Sequence, residues 1–304
     1  MARAVWLLAL LRALSADAQA PLSGAKKHSF KIKGYHIADG LLADEAPRLI
    51  EEMRRLMAEA SEEDAAAWDG NGASKYTVTY QPDAETGEAI PGRIMKIQGV
   101  GTRSPLTREL TIFNPKLVDV AAQLMGLGPE EGMDAFGTKF FPLLPVHNGT
   151  TKSTSTDFHD DNHFFGTPSD RVLSMSLYLE DTHVETGCLR VVPGSHSAYG
   201  DGTDREARYA RGLKEASHGE WLDLLDSEMA LDVPVPAGTP VFFDGRLVHG
   251  ARQNVSPEKS SFRIIAHFVP ADLEMSWRGV DFGKDYADRW EVRAPLAQKA
   301  DLWN

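Results

Sequence analysis

The run Phe158-His159-Asp160-Asp161-Asn162-His163 is the stretch from which the rest of the chain is best interpreted. Successive side chains of a β-strand point to opposite faces, so His159 and Asp161 project from the same face and can hold one metal ion. A His-x-Asp pair alone is a weak signal, because the chain contains ten histidines and 44 acidic residues. A metal site therefore needs a further ligand from elsewhere in the sequence.

The segment from Gly238 to Gly250 supplies that ligand. Its pattern predicts a turn, an apolar strand and a second turn, followed by His249 at the start of the next strand. Two imidazoles and one carboxylate on one face of a metal leave the other positions open, as in non-haem Fe(II) oxygenases. We therefore predict that His159, Asp161 and His249 are the metal ligands and form the catalytic centre.

The segment Ser261–Phe268 predicts another strand, in which Arg263 precedes an apolar stretch that we expect to be buried. A buried arginine needs an anionic partner. The guanidinium group matches a carboxylate in bidentate fashion, so one candidate partner is a dicarboxylate whose other end is bound to the metal. An internal salt bridge with one of the many acidic residues is the ordinary alternative.

Together these segments resemble the phytanoyl-CoA dioxygenase-like family of Fe(II)/2-oxoglutarate-dependent oxygenases. The segments that carry the resemblance are, in chain order, His159-Asp160-Asp161, Gly187 to His196, His249-Gly250 with Asn254, and Phe262-Arg263 leading into His267-Phe268. The resemblance implies a mainly β fold with flanking helices, namely a double-stranded β-helix (jelly-roll, cupin-like) barrel. It also implies Fe(II), 2-oxoglutarate as co-substrate and O2, with ascorbate as a candidate reductant.

A further segment, Met95-Lys96-Ile97-Gln98, resembles the family segment whose lysine contacts the 2-oxoglutarate carboxylate near the metal. The resemblance thus implies Lys96 for the near carboxylate and Arg263 for the far one. The gap between His249 and Arg263 is a few residues longer than usual in the family, and we interpret it as a longer hairpin loop.

The resemblance also bears on the type of reaction. Related halogenases replace the carboxylate ligand with a small residue, whereas this chain keeps Asp161. Hydroxylation of a C–H bond of a small organic substrate, with release of succinate and CO2, is therefore favoured. Desaturation, ring formation and epimerisation use the same site and stay open.

Two other classes of protein fit part of the pattern. Two histidines and a carboxylate also form catalytic zinc sites, so a zinc-dependent hydrolase is one alternative. A non-catalytic jelly-roll protein that binds a ligand is the other. His163 falls on the same strand face as His159 and Asp161, and it is either a pocket residue or an alternative ligand.

Composition sets the limits on size and partners. With 304 residues and 42% hydrophobic content, the chain can bury a sizeable core, and one elaborated domain is expected. The formal net charge of −12 argues against nucleic acid or an anionic membrane as the main partner and favours a small-molecule substrate. The single cysteine, Cys188, excludes an intrachain disulfide and a cysteine-rich zinc site.

The sequence predicts a leader followed by one domain. Residues 1–20 have the pattern of a targeting segment, for secretion or an organelle, and are too short for a membrane span; a plain N-terminal helix is the alternative. Without such targeting the protein would be cytoplasmic. We expect residues 21–304 to form a single oxygenase domain: a helical layer with helices at Asp44–Ala60 and Pro115–Met125, a jelly-roll core at about 94–270, and a tail at 271–304. Oligomeric state is left open.

Overall fold

The fold is a double-stranded β-helix with helices packed on one side, as the resemblance implies. A computed structural model describes residues 21–65, 78–83, 85–128, 131–145, 156–162, 171–199, 230–271, 273 and 289–292. Within these ranges the strands, in chain order, are β1 (Tyr35–Ile37), β2 (Val78–Pro82), β3 (Ala89–Gln98), β4 (Met133–Phe141), β5 (Thr156–His159), β6 (Leu173–Tyr178), β7 (Leu189–Val191), β8 (Leu231–Val233), β9 (Thr239–Asp244), β10 (His249–Ala251), β11 (Arg263–Pro270) and β12 (Arg289–Val292).

These strands form two antiparallel sheets. The main sheet has the order β1-β9-β6-β11-β4-β3-β2, and β12 pairs with β4. The minor sheet has the order β5-β10-β7-β8. Strands β1 and β2 precede residue 94 and β12 follows residue 270, so the main sheet draws on more of the chain than the core segment at about 94–270.

Helices cover the outer face of the main sheet. The described helices are α1 (Gly24–Lys33), α2 (Ala46–Ala65), α3 (Val100–Arg103), α4 (Pro105–Leu110), α5 (Pro115–Met125) and a short 3₁₀-helix (Ser195–Tyr199). The apolar faces of α2 and α5 share one buried cluster with the outward residues of the sheet. Removing this apolar surface from water is the main force that holds the two layers together.

The helix predicted at Pro115–Met125 is observed with those bounds. The Asn114 side chain accepts a hydrogen bond from the Lys116 N–H (3.0 Å), and Gly126 ends the helix in the left-handed conformation. The predicted helix Asp44–Ala60 is observed as Ala46–Ala65.

Alternation along the strands of the main sheet decides which side chains face the interior of the barrel. On β6, every second residue beginning with Leu173 joins the cluster beneath the helices, and on β11 the residues Ile264, Ala266 and Phe268 do the same. The intervening residues face the barrel interior, because side chains alternate across a sheet. Those interior residues include Ser174, Ser176 and Tyr178 on β6, and Arg263, Ile265 and His267 on β11. The barrel is therefore polar at one end, although its strands look apolar in sequence.

Cys188 is fully buried directly before β7, and its Sγ lies 3.9 Å from Asp232 Oδ1. Burial and the nearby Asp232 carboxylate raise the pKa of its thiol to about 11. The thiol is therefore protonated and unreactive at neutral pH.

The targeting segment at residues 1–20 and most of the tail lie outside the described residues. Within the described ranges, no helix combines the length and the apolar composition that crossing a bilayer requires.

Gly238 provides a test of the turn that precedes β9. Its φ is +74°, and an added Cβ would lie 2.4 Å from the backbone of Ala43. We expect Gly238→Ala to lower the free energy of unfolding by roughly 3 kcal/mol, because backbone displacement adds to the cost of a positive φ. Gly92 is the matched control: its φ is +75° and nothing lies within 4 Å of an added Cβ.

Gly92→Ala should lower the free energy of unfolding by only about 1 kcal/mol, because the positive φ is the only unfavourable contribution at this position. Urea unfolding followed by circular dichroism measures both variants. Equal losses in the two variants would contradict the packing argument for Gly238.

Candidate metal centre

The pairing of β5 with β10 brings together two of the three residues predicted as metal ligands. His159 and His249 are direct partners across these strands, and their ring centroids lie 4.4 Å apart. Directly opposite residues of an antiparallel pair project from the same face. Asp161 follows two residues after His159, and its Oδ1 and Oδ2 lie 3.6 Å from His159 Nε2 and 4.0 Å from His249 Nε2, respectively. The predicted triad therefore occupies one small volume.

The donor set fits a divalent metal ion. One ligand atom from each of the three residues lies within 4.8 Å of the other two. Ligands that are each about 2.1 Å from a common ion are separated by roughly 3 to 4 Å. A small inward movement of the side chains would thus complete the coordination. Two imidazoles and a carboxylate are the donor set of non-haem Fe(II) oxygenases.

His249 is held in the tautomer that metal binding needs. Its Nδ1 lies 2.9 Å from the carbonyl oxygen of Leu247, which can only accept a hydrogen bond, so Nδ1 carries the proton. The lone pair of Nε2 is thereby directed at Asp161. Burial, with a contribution from the His159 imidazole, lowers the pKa of His249 to about 4. The ring is therefore neutral at pH 7 and ready to act as a ligand.

Asp161 is ionised in the same environment. Burial favours its protonated form, but the surrounding imidazoles outweigh burial and hold the pKa of Asp161 well below its usual range. The hydroxyl of Ser174 also donates a hydrogen bond to Asp161 Oδ2 at 2.6 Å. A carboxylate that stays charged in a buried site is a strong ligand for a cation.

Arg263 lies in the cavity that the triad also lines. It is only 4% exposed, is placed between Phe141 and Tyr178 by strand register, and has its guanidinium 5.3 Å from the centroid of the Phe141 ring. Among the described residues no carboxylate forms a salt bridge with it, and its Nε has no hydrogen-bond partner. The internal salt bridge considered from sequence is thus not observed in this part of the chain. A buried cation in this position calls for an anionic ligand.

The two lysines of this region differ in position. Gln98 pairs with Lys139 across β3 and β4, so Lys96, two residues before Gln98, projects from the same face as Lys139. Lys139 lines the cavity, whereas Lys96 is not among the described lining residues. Sequence reasoning missed Lys139, although a cation within the apolar strand Met133–Phe141 was a usable signal.

Hydrogen bonds from Asn254 hold the long loop between β10 and β11 in place. Its fully buried amide donates hydrogen bonds to the carbonyl oxygens of Leu143 (2.6 Å) and Lys259 (2.7 Å). The extra length of the loop is thus absorbed before β11 begins, and Arg263 keeps its place in the sheet. His163, the alternative ligand, lies outside the described residues.

Ion pairs support the minor sheet behind the ligands. Asp232 accepts two hydrogen bonds from Arg252 (2.7 and 3.0 Å) and lies 3.3 Å from Arg190 Nε. The Arg190 guanidinium lies 5.9 Å from the ring centroid of Phe158, the residue before His159. Arg190 also pairs with Gly250, the residue after His249. These contacts stabilise both ligand strands from the side opposite the cavity.

Comparison with known proteins agrees with this geometry. The phytanoyl-CoA dioxygenase (PhyH) family profile matches residues 30–263, which is most of the chain. The ectoine dioxygenase of Sphingopyxis alaskensis is 28% identical over 246 residues, covering 78% of this chain and 73% of that protein. The phytanoyl-CoA dioxygenase domain-containing protein 1 of Bos taurus is 35% identical over 100 residues, covering 32% of this chain and 34% of that protein.

Solved structures confirm the fold. EctD from S. alaskensis with bound iron superposes with a TM-score of 0.60 at 22% identity, covering 85% of this chain and 80% of that one. The non-haem alpha-ketoglutarate-dependent epimerase SnoN from nogalamycin biosynthesis gives a TM-score of 0.56 at 20% identity, covering 85% and 86%. The jelly-roll architecture expected from the sequence is therefore confirmed.

The buried histidines predict how the stability of the metal-free protein depends on pH. Burial lowers the pKa of His249 to about 4 and that of His267 to about 3, whereas both are near 6.5 when unfolded. Between pH 6.5 and 5 the unfolded chain therefore binds protons that the folded chain does not. We expect the free energy of unfolding to fall as pH is lowered, by about 1 kcal/mol per pH unit for each histidine at the lower end of this range.

Urea unfolding of metal-free protein at pH 7, 6 and 5 measures this dependence. In His249→Gln, the slope of the free energy of unfolding against pH should decrease by the contribution of one proton. A free energy of unfolding that stays constant or increases toward pH 5 would show that the two rings are not held neutral.

Proposed function

Because the chain belongs to the phytanoyl-CoA dioxygenase family and is an Fe(II)/2-oxoglutarate-dependent dioxygenase, we propose that it hydroxylates a C–H bond of a small organic substrate. The observation that carries the proposal is the meeting, in one cavity, of the triad with a buried Arg263 that forms no salt bridge with a described carboxylate. The triad accounts for a metal, and the arginine accounts for a dicarboxylate beside it.

We assign His159, Asp161 and His249 as the residues that hold Fe(II). Bound Fe(II) supplies activation of O2 coupled to decarboxylation of 2-oxoglutarate, so that substrate, O2 and 2-oxoglutarate give hydroxylated substrate, succinate and CO2. The protein contributes preformed ligand geometry: one imidazole is fixed in its tautomer by Leu247, and the carboxylate is kept charged. Little reorganisation is then needed when the metal binds.

Arg263 binds the far carboxylate of 2-oxoglutarate in this proposal. Its planar fork can donate two parallel hydrogen bonds to a carboxylate, and its burial removes competition from water. The ring of Phe141 beside the guanidinium restricts its orientation. For the near carboxylate the candidates are Lys96, from the family resemblance, and Lys139, which lines the cavity.

The apolar walls of the cavity have a separate task. Leu189, Phe243 and Ile265 line it together with the polar groups. Such walls limit the access of water, which strengthens the electrostatic contacts to the co-substrate and protects the reaction from side reactions. A substrate of low charge suits these walls better than a polyanion does, and the net charge of −12 points the same way.

The two rival functions explain less of the site. A zinc hydrolase would use the triad but would leave the buried cation of Arg263 without a partner. A non-catalytic binding protein would not need open coordination positions beside an anion site. Family membership favours the oxygenase over both.

Succinate production tests the function. Purified protein with Fe(II), ascorbate, O2 and 2-oxoglutarate should form succinate, and one member of a substrate panel should raise the rate. The panel should include ectoine and phytanoyl-CoA, because relatives are named for them. Mass spectrometry of the product separates hydroxylation from desaturation, ring formation and epimerisation.

Two controls accompany the succinate assay. Zinc-loaded protein and the Asp161→Ala variant should both be inactive, because the first lacks a redox metal and the second lacks a ligand. The absence of succinate from iron-loaded protein, even uncoupled from a substrate, together with tight zinc binding would overturn the proposal in favour of a hydrolase or a binding protein.

Arg263→Met should raise the KM for 2-oxoglutarate by at least about 30-fold, because a charge-assisted hydrogen bond of roughly 2 kcal/mol or more is lost. Arg252→Met is the matched control, since that guanidinium pairs with Asp232 and does not line the cavity. Steady-state succinate assays measure both values. An unchanged KM in Arg263→Met would remove this residue from co-substrate binding.

The lysines can be separated in the same assay. Lys139→Met should raise the KM for 2-oxoglutarate more than Lys96→Met does, because of the two only Lys139 is among the described lining residues of the cavity. The reverse order would assign the near carboxylate to Lys96, as the family resemblance implies.

A further inference from the structure

We propose that Ser174, His267 and Lys139 form a hydrogen-bonded chain that positions the carboxylate of Asp161 for the metal. This inference rests on the proposed role of Asp161 as a ligand. It assigns a task to Ser174 and His267, two buried polar residues that the proposed reaction does not otherwise require, and a second task to Lys139.

The chain crosses three adjacent strands of the main sheet. Ser174 on β6 and His267 on β11 are direct partners in the register, and Lys139 lies on β4, the next strand along. Ser174 and His267 are fully buried. Alternation turns these side chains toward the interior of the barrel, where the triad is located.

The distances join the residues into one path. Ser174 Oγ lies 2.6 Å from Asp161 Oδ2 and 3.0 Å from His267 Nδ1. On the other side of the ring, His267 Nε2 lies 3.5 Å from Lys139 Nζ, which lines the same cavity as the triad. His267 Nδ1 is 3.7 Å from Asp161 Oδ2, so the serine hydroxyl provides the closer link between ring and carboxylate.

The charges at the two ends decide where each proton lies. An ionised Asp161 can only accept, so the single hydroxyl proton of Ser174 is donated to it. Ser174 Oγ must then accept from His267, which places the ring proton on Nδ1. Nε2 is left as an acceptor facing the ammonium group of Lys139, which can only donate. Each donor in the path thus meets an acceptor.

Asp161 needs such support because it lies outside the regular ladder. Strand β5 ends at His159, and Asp161 is part of the following turn. The backbone there is anchored by the Asn162 N–H, which donates to the Gly245 carbonyl oxygen at 2.8 Å. The backbone anchor leaves rotation of the Asp161 side chain unrestricted. The hydrogen bond from Ser174 to Oδ2 restricts that rotation and leaves Oδ1 available to the metal.

Ser176 offers a matched comparison on the same strand. It lies two residues from Ser174, faces the same side and is equally buried, but its hydroxyl has no hydrogen-bond partner among the described residues. Ser174→Ala and Ser176→Ala therefore each remove one buried hydroxyl group from the same face of β6, although Ser176 also lines the cavity. Only the first removes a contact to Asp161.

The first test is the affinity of metal-free, full-length protein for Co(II), measured by calorimetry without 2-oxoglutarate. Ser174→Ala should weaken binding by about 10- to 100-fold, the usual effect of removing a partner of a metal ligand. Ser176→Ala should stay within about twofold of the wild type. Thermal unfolding of each variant shows whether it is folded. Equal Co(II) affinity in the two alanine variants would overturn the proposal.

The second test reads the tautomer of His267 directly. In metal-free protein labelled with nitrogen-15 at histidine, the ring should carry its proton on Nδ1, and His267→Gln identifies its signals. A histidine that merely fills space against Phe136, 5.4 Å away, has no reason to prefer that tautomer. A proton on Nε2 in the wild type would overturn the proposed chain whatever the metal affinities are.

The Asp161→Ala variant separates the two proposals. Loss of Co(II) binding in this variant, combined with normal binding in Ser174→Ala, would overturn the chain and leave the proposed function intact. Wild-type affinity in Asp161→Ala would remove Asp161 as a ligand and overturn both. The chain would be established by the following combination of results. The affinity for Co(II) falls in Asp161→Ala and in Ser174→Ala, it is unchanged in Ser176→Ala, and the proton of the His267 ring lies on Nδ1.

Discussion

The register between β5 and β10 is the constraint on which the site depends. It makes His159 and His249 direct partners, although ninety residues separate them in the chain. A shift of one residue would turn one imidazole to the opposite face and dismantle the ligand set. The minor sheet is supported at this point by Asp232 and its two arginine partners, whose contacts reach the residues next to both histidines.

The main sheet contributes through alternation. Its outward residues pack beneath α2 and α5 and supply the apolar burial that stabilises the domain. The inward residues of the same strands are then available for polar tasks, and they include Ser174, Arg263 and His267. Buried polar groups need a hydrogen-bonding or ionic partner, from the protein or from a ligand, because burying them without a partner costs free energy. One sheet therefore supplies the stability of the fold and most of the polar surroundings of the metal.

The charges in the site complement one another. The ionised Asp161 lies beside neutral imidazoles and favours a cation, whereas the cationic Arg263 favours an anion. A metal ion and a dicarboxylate together satisfy both needs, and neither alone does so. Under the proposed function, this complementarity would let one cavity bind the metal and the co-substrate side by side. A zinc site, by comparison, would account for the triad but not for the buried Arg263.

The sequence by itself indicated the fold family through the resemblance of its separated motifs, and the same motifs contained the three residues that converge as a triad. It also determined the helix at Pro115–Met125 with its caps, because short-range periodicity and cap chemistry are local. It also indicated a buried Arg263. Only the tertiary structure decided that Lys139 lines the cavity, that Ser174 and His267 contact the environment of Asp161, and that no described carboxylate neutralises Arg263. The physical reason is that these properties depend on strand register and on distances between residues far apart in the chain, which no local pattern encodes.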